Sequence, residues 1–346
     1  MNSREKIRNT GLLKLIGNTP MIKIDCLSRL SGSDIFMKCE TFNPGGTVKD
    51  RPALSMVMEA ILDGSLKPGQ TIVEGTAGNT GIGLALVGSA LGFPVVVVMP
   101  KGQDQAKHKL LKLFNAKCIE TDVVPFTDER HFFKVGKKIG TSAPEYWWAN
   151  QFDNLHNFKS HYETTAPELF MQMKGEIDVF VAAAGTGGTI AGISSYLKQM
   201  NPKVKIGLVD PLGSGLCSYV KKGEFISDGA YTMTEGVGIT RLVENFKLAK
   251  VDQAFTLNDQ VVTSLAYFIR QQEGLVMGMS SMLNLAGAFM MALKSPKGSK
   301  VATLMCDGGD RATNKMYSEE FLKEKNLSST ILTPDELVAL FQSQPI

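Results

Sequence analysis

Between residues 71 and 148, and again between 177 and 306, the chain alternates short apolar runs with longer helical patterns, and this restricts its fold more than any other feature. The runs at 21–24, 35–40, 71–74, 95–99, 117–121, 145–148, 177–183, 205–209 and 300–306 predict strands, most of them rich in Val and Ile. The stretches at 50–62, 79–91, 104–114, 128–140, 166–174, 189–200, 259–273 and 281–294 predict helices, and the 104–114 helix presents an exposed face rich in Lys and His. Near-continuous apolar strands alternating with helices imply a mainly parallel sheet covered on both faces. Two such series imply a two-lobed, three-layer α/β fold with a ligand cleft at the carboxyl ends of the strands. The expected division is a smaller lobe over 45–152 and a larger one over 12–44 and 153–325. A loop at 150–161 separates the halves, and a polar tail over 326–346 carries one short helical pattern at 334–341.

Composition narrows the function classes. With 346 residues, 43% of them hydrophobic and 21% charged, the chain can bury a large core as an ordinary globular protein. A net charge of +3 gives no electrostatic case for nucleic acid or an acidic membrane surface. The 5 cysteines are odd in number, scattered and without C-x-x-C spacing, which predicts reduced thiols, a cytoplasmic location and no zinc site. Residues 1–8 are polar and charged, unlike a secretory leader. The uncharged span 75–100 is long enough to cross a bilayer, but six Gly and Pro residues interrupt it. It reads as a helix, a stop at Gly92 and a buried strand rather than a membrane segment.

Three glycine-rich junctions and one lysine carry the chemistry. Asn43-Pro44-Gly45-Gly46-Thr47-Val48-Lys49-Asp50-Arg51 places Lys49 at the mouth of a helix that has Pro52 in its first turn and Gly64 past its end. The positive end of the helix dipole there makes an amine easier to deprotonate, and a neutral amine attacks carbonyls. Read alone, Lys49 is a solvated helix-start lysine. Gly185-Thr186-Gly187-Gly188-Thr189 follows a strand and opens a helix: either a plain junction or a cup of backbone N–H groups for a phosphate. It lacks the third glycine of G-x-G-x-x-G, and no G-x-x-x-x-G-K-[ST] occurs, which favours a small phosphorylated cofactor over a nucleotide. Thr76-Ala77-Gly78-Asn79-Thr80 offers amides and hydroxyls to a carboxylate or phenolate, with simple capping by Asn79 as the alternative. Ser280 and Ser281 precede a helix and serve equally well as N-caps. G-x-S-x-G and H-E-x-x-H are absent, and the four histidines have no metal-ligand spacing. Lysine, phosphate cup and amide-bearing loop together suggest pyridoxal phosphate.

From Leu12 to Tyr317 the motifs LLKLIGNTP, NPGGTVKDR, EGTAGNTGIGLA, NQFDN, GTGGT, EGVG, EGLVMGMSS and DGGDR stand in one order. In that order the chain resembles the cysteine synthase / cystathionine β-synthase family of fold-type II pyridoxal-phosphate enzymes, whose architecture is like that of the tryptophan synthase β subunit. The resemblance implies that Lys49 holds the cofactor as an internal aldimine and later serves as acid and base at Cα. It implies that Asn79 bonds the cofactor's O3′, that Gly185, Thr186, Gly187, Gly188 and Thr189 form the phosphate cup, and that Ser280 meets the pyridine nitrogen. Thr76, Ala77, Gly78, Asn79 and Thr80, with Gln151, would grip the substrate carboxylate. Gly236 lies in the segment 235–238, which resembles the family's second active-site loop.

The implied reaction is β-replacement on an activated serine through an α-aminoacrylate, with sulfide or another thiol as nucleophile. The first choice is cysteine synthase, making cysteine and acetate from O-acetylserine and sulfide. Cystathionine β-synthase, cysteine desulfhydrase and serine dehydratase share the intermediate, and a non-catalytic binding homologue is the alternative from another class. A homodimer is implied by the resemblance. So is capture of the C-terminal isoleucine of serine acetyltransferase, and because this chain ends in Ile346 its own tail is a second candidate for that cleft. The pattern departs from the family at Ala77 and Gly308, where hydroxyls are usual. Neither the long C-terminal regulatory extension nor the haem-binding N-terminal extension of some cystathionine synthases is expected here.

Overall fold

The computed structural model describes residues 3–345. The two strand series build two sheets. The strands are β1 (Met21–Lys23), β2 (Asp34–Cys39), β3 (Thr71–Gly75), β4 (Val95–Pro100), β5 (Lys117–Thr121), β6 (Tyr146–Trp148), β7 (Val179–Ala182), β8 (Lys205–Pro211), β9 (Gln253–Leu257) and β10 (Lys300–Met305). The smaller sheet has the order β5-β4-β3-β6 and is parallel throughout; the larger is β1-β2-β10-β7-β8-β9, with only the β1–β2 pair antiparallel.

The mixed α/β architecture follows from which residues each face buries. In β7, Val179 and Val181 pack into one core while Phe180 and Ala182 pack into another on the opposite face. A period of two that is apolar at every step requires helices on both sides, as the sequence predicts. The Met279–Lys294 helix fills the first core and the Gly188–Met200 helix the second. The uncharged span 75–100 forms the end of β3, the Asn79–Leu91 helix closed by Gly92 at φ 78°, and β4. No helix among the described residues is long and apolar enough to cross a membrane.

Local chemistry overrides the sequence reading in a few places. The helix expected over 128–140 occupies only Phe132–Gly140, because the Asp128 carboxylate accepts from Arg130 N at 2.8 Å and locks a turn ahead of it. The stretch 150–161, expected as a loop, holds the His156–Ser160 helix, opened by Asn154 accepting from His156 N at 3.0 Å. That helix runs through a π-turn, His161–Thr165, into the Ala166–Gln172 helix. Edge strand β9 and the Asp25–Ser31 and Leu216–Lys222 helices add to the predicted set.

A buried ion network joins these parts just behind Lys49. The Arg51 guanidinium donates to Glu40 at 2.6 and 2.9 Å and to Glu168 at 2.7 and 2.8 Å, and Lys38 Nζ lies 2.9 Å from Glu168. The end of β2, the start of the Asp50–Leu62 helix and the Ala166–Gln172 helix are thereby tied at one point.

Candidate active site

The cavity is assembled by segments meeting at the carboxyl ends of the central strands. Thr47 bridges Asp307 in antiparallel register, and Val48 N donates to Cys306 O at 2.9 Å, so the residues before Lys49 are paired with the chain leaving β10. Lys49 is the N-cap residue of the Asp50–Leu62 helix. Its side chain lines a cavity of about 250 Å³, and its amine has no hydrogen-bond or ion-pair partner among the described residues.

The remaining motifs converge on the same space. Thr76, Ala77, Gly78, Asn79, Thr80, Gln151, Gly185, Thr186, Gly187, Thr189, Gly236 and Ser280 all line it. Gly188 does not; a Cβ there would stand 2.1 Å from Asn157 Oδ1, so this glycine allows the helix start to pack on Asn157. Gly187 adopts φ 81°, and a Cβ on it would lie 2.6 Å from Phe246 N. None of the backbone N–H groups of Gly185, Thr186 and Gly187 bonds to a described residue, and the first turn of the Gly188–Met200 helix adds further unpaired donors. The hydroxyl of Thr186 accepts from Asn157 Nδ2 at 2.9 Å, and that of Thr189 sits 3.2 Å from His161 Nε2. Burial, reinforced by Arg51 and Lys49, holds His161 well below its usual range, so it is neutral. A cup of free N–H donors facing an unpartnered lysine fits a phosphorylated aldehyde.

Gln151 differs from a free carboxylate-binding amide. Its Nε2 donates to Glu74 Oε1 at 3.2 Å and to Gly75 O at 2.9 Å, while its Oε1 accepts from Thr80 Oγ1 at 2.5 Å. Both amide hydrogens are occupied, so Gln151 braces Thr80 and the loop beside it. Glu74 is fully buried, and burial pushes its carboxyl up to about 8 against the downward pull of the Gln151 N–H groups. Folded Glu74 therefore keeps its proton up to about pH 8, whereas the unfolded chain releases it near 4.5, so stability falls as pH rises through that window. Glu74→Gln mimics the protonated form and is expected to flatten this decline, read as the change in urea midpoint between pH 5.5 and 8.5. Equal declines in the variant and the parent protein would remove Glu74 as the source.

Several cavity residues escape sequence reasoning. Lys107, expected on an exposed face, is buried, and its Nζ pairs with the Glu235 carboxylate, which also pairs with Lys315. Glu235 thus spans from the second loop to the helix beside the small sheet. Asp307, Arg311 and Cys306 line the cavity as well. The DGGDR segment offers the only sequence signal for the first two; its carboxylate and guanidinium reach the cavity, whereas Gly308 does not line it. Burial pushes the Cys306 thiol up to about 12, which makes it a protonated wall rather than a nucleophile. Ser280 Oγ lies 3.4 Å from Asp307 Oδ1. Phe126, Phe132, Phe133 and Phe152 line the same cavity with Arg241, whose guanidinium sits 4.5–5.4 Å from three of these rings. The described residues contain no cluster able to hold a metal ion.

A lysine and a backbone anion cup at the carboxyl ends of mainly parallel strands define an α/β enzyme built for a phosphorylated carbonyl cofactor. Residues 12–307 match the family model described as "Pyridoxal-phosphate dependent enzyme". The chain is 42% identical over 325 residues to a protein named cysteine synthase 1 from Neurospora crassa, covering 93% of this chain and 86% of that one. Among solved structures it is similar to an O-acetylserine sulfhydrylase, isoform 3, from Entamoeba histolytica, at a TM-score of 0.82 and 28% identity, covering 96% of this chain and 95% of that one. It is also similar to an O-acetylserine-dependent cystathionine beta-synthase from Helicobacter pylori, at 0.79 and 31%, covering 88% and 97%. The chain belongs to the pyridoxal-phosphate dependent enzymes and, within them, to the cysteine synthase / cystathionine β-synthase family.

Proposed function

We propose that this protein is a cysteine synthase, exchanging the acetate of O-acetylserine for sulfide. The observation that carries the reading is the unpartnered Lys49 amine in one cavity with the free N–H groups of the 185–189 turn. Lys49 would hold pyridoxal phosphate by its aldehyde, Gly185, Thr186, Gly187 and Thr189 its phosphate, Asn79 its O3′, and Ser280 its ring nitrogen. The bound cofactor supplies an electron sink that loosens the Cα proton and the β substituent of an amino acid.

This chain's residues do the rest. Residues 76–80, at the start of the Asn79–Leu91 helix, bind the substrate carboxylate through backbone N–H groups and helix polarity, with Thr80 braced by Gln151. With the substrate in place, the Lys49 amine would take the proton from Cα and later return it there. Ala77 presents no hydroxyl to the carboxylate, so binding there leans on the backbone. The aromatic side chains around Phe133 and Phe152 exclude water while the β substituent is exchanged.

A second reading, cystathionine β-synthase, is favoured by that same aromatic end of the cavity, which offers apolar surface to a thiol longer than sulfide, and by the name of the Helicobacter pylori protein. The family likeness also supports a homodimer, a cytoplasmic location and docking of a serine acetyltransferase tail. Ile346, the candidate for self-capping, lies outside the described residues. The test offers O-acetylserine with either sulfide or homocysteine and follows products by mass spectrometry. Cysteine formed faster with sulfide supports the first reading, faster cystathionine formation favours the second, and no consumption of O-acetylserine removes both.

A further inference from the structure

Asn79 is held by two partners of opposite hydrogen-bonding character. Its Oδ1 accepts from Arg311 Nη1 at 2.8 Å, and its Nδ2 donates to Asp307 Oδ2 at 2.8 Å. A guanidinium can only donate and a carboxylate can only accept, so just one of the two amide orientations satisfies both. The flipped amide would set NH2 against the guanidinium and C=O against the carboxylate, losing two charge-assisted bonds and creating two repulsive contacts. The observed orientation leaves one Nδ2–H uncommitted on a residue that lines the cavity.

Arg311 and Asp307 are themselves fixed. Arg311 is buried, and its Nη2 donates to Gly45 O at 2.5 Å, in the turn leading to Lys49. A Cβ on Gly46 would lie 3.0 Å from that same nitrogen. Asp307 is buried at the end of β10, where Thr47 bridges it and Ser281 Oγ donates to its carbonyl at 2.9 Å. The lock therefore joins the lysine turn, the Asn79 helix and the end of β10 through a single amide.

We propose that Arg311 and Asp307 are positioning residues that fix the Asn79 amide as a donor toward the cofactor's phenolate oxygen. This rests on the cofactor role proposed for Asn79. An amide free to rotate would spend part of its time presenting a lone pair to an anionic oxygen, and both affinity and the cofactor's absorption band would register that.

The test is a double-mutant cycle read as pyridoxal phosphate affinity, by titrating cofactor-stripped protein and following absorbance. Arg311→Leu is expected to weaken binding about tenfold in the parent protein, the size of one charge-assisted hydrogen bond, and less than about twofold in an Asn79→Ala background. Because Arg311→Leu also removes the bond to Gly45 and could impair folding, Asp307 supplies an independent pair. Asp307→Asn keeps an acceptor and is expected to retain affinity and absorption band; Asp307→Leu removes it and is expected to lose both. Equal losses for Arg311→Leu in the two backgrounds, or equal losses for the two Asp307 variants, would overturn the lock while leaving the Asn79 contact standing. An Asn79→Ala protein with unchanged affinity would instead remove the Asn79 reading and the lock with it.

Discussion

Lys49→Ala is expected to yield a colourless protein that borohydride cannot link to added pyridoxal phosphate, with β-replacement lowered by about 10⁴-fold. The expectation rests on how the two cavity lysines are partnered. Lys107 also lines the cavity, but its ammonium is committed to Glu235 beneath the helix that carries it. Lys49 has no such commitment, and the pairing of residues 47–48 with 306–307 holds its backbone in place whatever its side chain does. Consuming the Lys49 amine in a covalent link therefore breaks no ion pair, whereas consuming Lys107 would leave Glu235 with Lys315 alone. Lys107→Ala is accordingly the control: it should stay coloured and remain open to reductive labelling. Colour retained in Lys49→Ala and lost in Lys107→Ala would reassign the cofactor to the other lysine.

The contrast between these lysines also shows what a sequence can and cannot reveal. Lys49 is legible because a Gly-Gly turn and the first turn of a helix are local features, and so are the glycines of 185–188 after an apolar strand. Strand and helix order was likewise legible, since two-sided burial writes itself into uninterrupted Val and Ile runs. Lys107 was misread because a lysine on a helix with Lys109 and Lys112 looks solvated; the approach of Gly78 along its stem and of Glu235, 128 residues away, at its amine buries it. The Asn79 partners lie 228 and 232 residues distant, and pairing at that range has no local signature. Gln151 lines the cavity as expected, but the Glu74 carboxyl that occupies its amide becomes its neighbour only when β3 and the 149–151 segment lie side by side. The start of the helix expected over 128–140 failed for the opposite reason, a side-chain turn at 128–131 too local for hydrophobic periodicity to register.

Arg51→Leu is the substitution expected to cost most stability, about 3–5 kcal/mol, because it removes one member of a closed charge set. Arg51 and Lys38 balance Glu40 and Glu168, and the side chains of the first three are 2% exposed or less. Without the guanidinium, Glu40 loses its ion-pair partner and Glu168 keeps only Lys38. The acid range gives a second readout. Burial alone would raise Glu168, but hydrogen bonds and charge from Arg51 and then Lys38 hold it down at about 2. A depressed carboxyl contributes stability that is complete above its unfolded value of 4.5 and is lost as pH falls toward 2. The parent protein should therefore lose urea resistance steeply over that window, and the variant, having already lost most of the contribution, less steeply. Removing the charge opposite as well, in Arg51→Leu with Glu40→Leu, should recover part of the loss, since a buried pair replaced by apolar side chains costs far less than one left half-broken. An Arg51→Leu protein within about 1 kcal/mol of the parent at pH 7 would show that water reaches the network, leaving the helix that begins at Lys49 anchored by packing alone.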